Sequence, residues 1–390
     1  MSNTKKKICI VTGGRADYYL LKNFIKSLNK IKNLEITIIV TGQHLSNRYG
    51  NTGKIVFRDF GRLCKFINMN IKESKTQNIL ESLSTGIKQI GKFLKLKKPD
   101  LVVLLGDRYE ILSAGVASIF NNLKIAHIHG GELTIGSIDD IIRHSLTKFS
   151  QFHFVSNELY RKRVIQLGEN PKNVFNVGSL GVENINKTTF LNKEELKKKL
   201  KIKFNKYNFL ITINSFIEEE ISLKLFLENL LLALNKLNNT TIIFTLPNSD
   251  INSDLIKNKI LKFCNKKENS YFFKSLGSTN YLSCMKYCDL VIGNSSSGII
   301  EAPSFNIPTI NIGNRQKGRL KSKSIINTGY FSKDIENSIK KGLSPSFRKK
   351  IKKIVNPYYK KNTTQKIISI IKNKILKKKY STKKFYDIKR

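Results

Sequence analysis

Leu101-Val-Val-Leu-Leu-Gly-Asp-Arg-Tyr-Glu110, followed by Ile125-Ala-His-Ile-His-Gly-Gly-Glu132, decides how this chain folds. Each half is a short apolar run that stops at glycine and ionisable groups. Strands buried on both faces of a parallel sheet have this composition, and they deliver polar side chains at their carboxyl ends. With the helix expected next, the two ends present Asp107, Arg108, Glu110, His127, His129, Glu132, Asp139, Asp140, Arg143 and His144. So many ionisable groups beside two buried strands read as an active site rather than core.

Outward from that stretch the same alternation continues. Lys7–Val11, Glu35–Val40, Leu101–Leu105 and Ile125–Ile128 read as strands, with amphipathic helices over about 17–29, 78–96, 109–121 and 139–149. A lysine-rich stretch at 186–207 interrupts the pattern. Strands then follow at 209–213, 241–246, 289–292 and 309–312, with helices near 219–237, 252–266 and 278–287 and a last one at 364–376. Strand and helix alternating twice predicts an α/β chain of two Rossmann-like domains, at 1–185 and 186–360, with a C-terminal helix and basic tail over 361–390.

Composition narrows the function. The 390 residues are 40% hydrophobic and can bury two cores. A formal charge of +42 suggests nucleic acid, but the lysines are spread over helix surfaces and the tail, so neither nucleic acid nor a membrane is expected as partner. The N-terminal segment runs into a strand without a signal-like apolar region, which suggests a cytoplasmic protein. Five scattered cysteines give no disulfide framework or zinc pattern, and His127 with His129 lacks a third ligand, so no metal is expected. Gly13-Gly-Arg-Ala-Asp17 lacks the dinucleotide spacing, which disfavours a nicotinamide cofactor; no other cofactor is expected.

The residues left for chemistry fall into two sets. Asp107, His129, Glu132 and Asp139 are candidate acids and bases. Glu110, Arg108 and Arg143 read first as ion pairs bracing loops, although the two arginines could also hold substrate. Arg15, at a strand-to-helix turn, suits a phosphate. In the second domain Gly293-Asn-Ser-Ser-Ser-Gly298 reads as an anion nest, with Glu301 one turn later and Arg315-Gln-Lys-Gly-Arg319 beyond the next strand.

These motifs, with Val40-Thr-Gly-Gln-His44, Tyr49-Gly-Asn-Thr52 and Ile142-Arg-His-Ser145, occur in order along nearly the whole chain. Together they resemble the hydrolysing UDP-N-acetylglucosamine 2-epimerases of bacterial sialic acid synthesis. The resemblance implies a glycosyltransferase-B-like fold, a nucleotide-sugar substrate in the interdomain cleft, a homodimer, and release of UDP and N-acetylmannosamine through a 2-acetamidoglucal. It implies catalytic roles for Asp107 and Asp139, with either His129 or Glu132 as a third acid/base group. It also implies substrate contacts from Arg15, Gln43, His44, Ser295, Ser296, Ser297, Gly298, Glu301 and Arg319. Where the family often has a His-Pro pair, this chain has Ile213-Asn214-Ser215, a hydrogen-bond donor in place of a charge. Relatives acting on UDP- or GDP-linked diacetamido-trideoxyhexoses share these motifs. A glycosyltransferase or a non-catalytic nucleotide-sugar sensor would have less use for the carboxylates.

Overall fold

The computed structural model describes residues 5–71, 76–216, 221–245, 252–378 and 382–388. Position 246 of one expected strand and 219–220 of one expected helix lie outside the described residues. In the first half, strands β1 (Lys6–Thr12), β2 (Leu34–Val40), β3 (Cys64–Phe66), β4 (Leu101–Leu105), β5 (Ile125–Ile128), β6 (Phe152–Val155) and β7 (Val174–Asn176) form one sheet. Their order is β3-β2-β1-β4-β5-β6-β7, with every pairing parallel. The second half builds another parallel sheet from β8 (Tyr207–Thr212), β9 (Thr240–Thr245), β10 (Ser270–Phe273), β11 (Leu290–Gly293), β12 (Thr309–Ile312) and β13 (Ile325–Thr328). Its order, β10-β9-β8-β11-β12-β13, repeats that of the first six strands. This is the Rossmann order, and the chain holds two such units, as expected for a glycosyltransferase-B-like fold.

Strand β4 shows why the apolar run was diagnostic. All five residues are buried. Leu101, Val103 and Leu105 join one core layer, while Val102 and Leu104 join the layer on the opposite face. Side chains alternate across a strand, so a strand covered by helices on both faces must be apolar throughout.

Contacts divide the chain into Met1–Glu132, Ile138–Asn184 and Tyr358–Arg390 on one side, and Leu133–Ser137 with Ile185–Pro357 on the other. The last helix, Thr363–Ile370, continues into a π-helical turn, Ile371–Ile375. Ile367, Ile371 and Ile375 recur every four residues, are fully buried and pack into the core of the first unit. That spacing sets one helical face against the sheet and ties the C-terminal segment to the first unit. No helix among the described residues is long and apolar enough to cross a membrane.

Candidate active site

In a sheet of this order the chain leaves β1 toward one edge and β4 toward the other, so ligands bind at the carboxyl ends of these two strands. Gly13-Gly14-Arg15 follows β1 and Gly106-Asp107-Arg108 follows β4. Asp17 fixes the first loop. One carboxylate oxygen accepts from Thr12 Oγ1 at 2.9 Å and Gly13 N–H at 2.7 Å, and the other from Gly14 N–H at 2.8 Å. These bonds cap the helix Arg15–Asn29, so it starts at Arg15 rather than at Asp17. The sequence reading gave Asp17 no role, although an acidic residue three positions past a glycine N-cap is the signal for this cap. Beside it Gln43 approaches Gly14: a Cβ there would lie 3.3 Å from Gln43 Oε1.

His44 has a different place from the one expected. It is fully buried, with Nε2 3.0 Å from Thr12 Oγ1 and Nδ1 2.8 Å from Thr52 Oγ1. Both ring nitrogens are engaged within the fold, so His44 braces the loop carrying Gln43.

Glu110 is buried, and among the described residues neither carboxyl oxygen has a hydrogen-bond partner. Gly42 makes room for it: at φ +62 a Cβ would meet Glu110 Cγ at 2.5 Å, so both backbone and space require glycine. Desolvation raises the Glu110 carboxyl to about 7, outweighing Arg108, whose Nε lies 3.6 Å away. A folded-state value above the unfolded one gives stability that is full below about 4.5 and lost as pH rises through 7. Glu110→Gln should therefore stabilise the protein at pH 8 by as much as about 3 kcal/mol and leave it unchanged near pH 4. Urea midpoints at the two pH values check this, and equal shifts at both would refute it.

Arg143, on the helix Ile138–Phe149, joins the carboxylates. Its side chain is 3% exposed; Nη2 pairs with Asp107, and Nη1 lies 3.5 Å from Asp140 and donates to the Glu132 carbonyl at 2.9 Å. Asp139, in the first turn of that helix, is buried, and Asp140 also lies 3.5 Å from His144 Nε2. His129 holds a left-handed conformation at φ +69, uncommon for a non-glycine residue and concentrated at functional sites. Its Nδ1 lies 3.3 Å from Glu132 Oε1, which also accepts from Ser156 Oγ at 3.4 Å. His129 Nε2 is buried and has no hydrogen-bond partner among the described residues. His129 and Glu132, alternatives in the sequence, are thus two ends of one pair.

His127 is separate. It is fully buried, its Nε2 donates to the Gly106 carbonyl at 2.7 Å, and burial pushes its imidazolium down to about 3. It supports the turn that presents Asp107. Among the described residues no group of three or more His, Cys, Asp or Glu side chains could hold a metal.

In the second unit the equivalent strand ends are Asn214, after β8, and Asn294, after β11. Asn214 N–H donates to Asn294 Oδ1 at 2.7 Å, and Asn294 Nδ2 returns a bond to the Asn214 carbonyl at 2.8 Å. Ser295 caps the five-residue helix Ser296–Ile300 by accepting from Ser297 N–H at 3.3 Å. Ser297 Oγ donates to Glu301 and accepts from Tyr281 Oη at 2.9 Å. Gly298 sits against Thr309, whose Oγ1 donates to its carbonyl at 2.9 Å.

Arg315 and Gln316 both donate to the Asn294 carbonyl, at 3.1 and 2.9 Å. Arg319 Nε donates to the Leu133 carbonyl at 2.6 Å and its Nη2 to Thr134 Oγ1 at 3.0 Å. The cations beyond β12 therefore organise the nest and the Leu133–Ser137 segment.

The chain is similar to known proteins in sequence and in fold. Over 384 residues, 98% of each chain, the sequence is 39% identical to the Escherichia coli polysialic acid biosynthesis protein P7. It is 41% identical over 346 residues to the hydrolysing GDP/UDP-N,N'-diacetylbacillosamine 2-epimerase of Campylobacter jejuni, covering 88% of this chain and 89% of that one. The Neisseria meningitidis UDP-GlcNAc 2-epimerase, crystallised with UDP-GlcNAc, superposes with a TM-score of 0.76 at 19% identity, covering 94% of this chain and 100% of the other. With residues 26–372 matching the family profile as well, the chain belongs to the UDP-N-acetylglucosamine 2-epimerase family.

Proposed function

We propose that this chain hydrolyses a nucleoside-diphosphate-linked 2-acetamido sugar with inversion at C2, and that its substrate is UDP-N-acetylglucosamine. The observation that carries the reading is the cluster at the carboxyl edge of the first sheet. Asp107 is oriented by Arg143, Asp139 sits one turn before that arginine, and His129 pairs with Glu132 while its Nε2 has no hydrogen-bond partner among the described residues.

Inversion at C2 without oxidation needs a base on one face of the sugar and an acid on the other. In the first step a base removes the C2 proton, the C1–O bond breaks, and the electron pair leaves on the diphosphate, giving a 2-acetamidoglucal. In the second, water adds to C1 and a proton reaches C2 from the opposite face, giving N-acetylmannosamine and UDP. Asp107 and the His129–Glu132 pair are the proton-transferring groups, and Asp139 is the third carboxylate. Arg15, Gln43 and Arg108 line the first-unit strand ends that face substrate. Asn214, the Ser295–Ser297 turn and Glu301 hold the nucleotide, with serine hydroxyls and backbone N–H groups for the diphosphate and the carboxylate for ribose hydroxyls.

A second reading, in which the sugar is a UDP- or GDP-linked 2,4-diacetamido-trideoxyhexose, is favoured by the 41% identity to the Campylobacter jejuni enzyme. Incubation with each nucleotide sugar in deuterated water, followed by NMR, tests both. UDP release with deuterium at C2 of a manno-configured product from UDP-N-acetylglucosamine supports the first. Turnover confined to the diacetamido sugars replaces it with the second, and no nucleotide release from any of them overturns both.

A further inference from the structure

The C-terminal segment docks on the first unit through a built site. Lys383 Nζ lies 2.7 Å from the carbonyls of Lys148 and Ser150, 3.1 Å from that of Thr147 and 2.7 Å from Glu169 Oε2. Four oxygens share three ammonium protons, which saturates the group. Thr147 and Lys148 lie in the last turn of the helix Ile138–Phe149, whose carbonyls sit at the negative end of its dipole; that of Thr147 also accepts from Ser150 N–H at 3.2 Å. Three residues on from Lys383, Tyr386 N–H donates to the Gly168 carbonyl at 2.9 Å, and the ring of Phe385, just before it, lies over Gly168. Gly168 has φ +82 and a Cβ there would meet that ring at 2.2 Å, so the ring, itself 66% exposed, rests against a position that requires glycine. The Lys148 ammonium covers the ring at 4.9 Å from its centroid.

Two buried polar lines run from Lys383 toward the acid/base cluster. On one, Thr147 Oγ1 stands 3.3 Å from His127 Nδ1, and His127 Nε2 holds the carbonyl of Gly106, the residue before Asp107. On the other, Glu169 takes His153 Nε2 at 3.0 Å, and His153 is the cross-strand neighbour of His127 in the β5–β6 register. Burial pushes Glu169 up, but bonds from His153, Lys148 and Lys383 outweigh it and hold the carboxyl at about 2.

We propose that Lys383 is a positioning residue for the acid/base cluster: by closing the helix Ile138–Phe149 and balancing the buried Glu169–His153 pair, it keeps Asp139, Arg143 and the Gly106-Asp107 turn in register. The kinetic part of this inference rests on the proposed epimerase reading; the structural part does not.

The test compares Lys383→Met and Lys383→Arg in the full chain. Lys383→Met should lower kcat about tenfold with KM nearly unchanged. Amides of residues 138–149 should exchange about tenfold faster in hydrogen–deuterium exchange. His153, held down first by burial and then by Lys383 and Lys148 against the pull of Glu169, should titrate at higher pH by NMR in this variant. Lys383→Arg should recover most of the kcat, since it restores the charge. Wild-type kcat, exchange and His153 titration in Lys383→Met would overturn the proposal. If the wild type turns over no nucleotide sugar, the epimerase reading fails, while exchange and titration still decide the role of Lys383. If Lys383→Met does not fold, Phe385→Ala loosens the same docking with every buried charge in place. A weaker form of the same pattern there supports the positioning role, and wild-type behaviour overturns it.

Discussion

Asp107→Asn should lower turnover by roughly two to four orders of magnitude, the range that removing a positioned acid or base gives. Asparagine keeps the shape of the side chain and can still accept from Arg143 through its amide oxygen, so the turn after β4 and the arginine should stay in place. What it loses is the ability to take a proton. The expected signature is a collapse of kcat with KM changed by no more than a fewfold, because in the proposed reading the nucleotide is held by other residues. Deuterium incorporation at C2 separates the steps. If Asp107 removes the C2 proton, neither exchange nor UDP release survives. If it protonates C2 in the second step, UDP is still released and the glycal accumulates. Wild-type turnover in the variant would remove Asp107 from the chemistry.

What the sequence made legible, and what it did not, follows from how each residue is buried. The central strands could be read because a parallel strand covered on both faces is apolar along its length, as β4 is throughout and β5 is but for His127. The strands β3, Cys64-Lys-Phe66, and β13, Ile325-Ile-Asn-Thr328, carry no such run. They are strands because a neighbour offers hydrogen bonds, which is a tertiary fact.

The carboxylates of the site were visible as a crowd at two strand ends, but their partnerships were not. Nothing in Glu110 shows that Gly42, far away in sequence, leaves space for it. The resemblance put His44 among the substrate contacts and His127 stood in the crowd of ionisable groups, whereas burial and two polar contacts each make both of them braces. Lys383 was hidden by composition, since one lysine in a lysine-rich tail looks like its neighbours until Glu169 and three carbonyls are seen to converge on it.

Arg143→Met should couple stability and activity, and its size can be bounded. The guanidinium is 3% exposed, while its partners Asp107 and Asp140 are 21% and 25% exposed at the side chain. Losing one partner of a fully buried ion pair costs about 3–5 kcal/mol. Water reaches both carboxylates here, which lowers the expectation to about 2–4 kcal/mol, including the Glu132 carbonyl that loses its donor. For a unit of this size that is a fall of roughly 5–15 °C in the first transition to melt. Lysine restores the charge but not the planar fork that serves Asp107, Asp140 and Glu132 together, so Arg143→Lys should recover stability only in part.

The double variant with Asp107→Asn separates the hub from an independent pair of losses. If Arg143 acts on the chemistry by orienting Asp107, removing both should cost much less in kcat than the product of the single effects, because each single change already breaks the same unit. A strictly multiplicative loss would mean that Arg143 serves the reaction through Asp140 or Glu132 instead. A melting point equal to the wild type in Arg143→Met would show that its three contacts add nothing net to the fold.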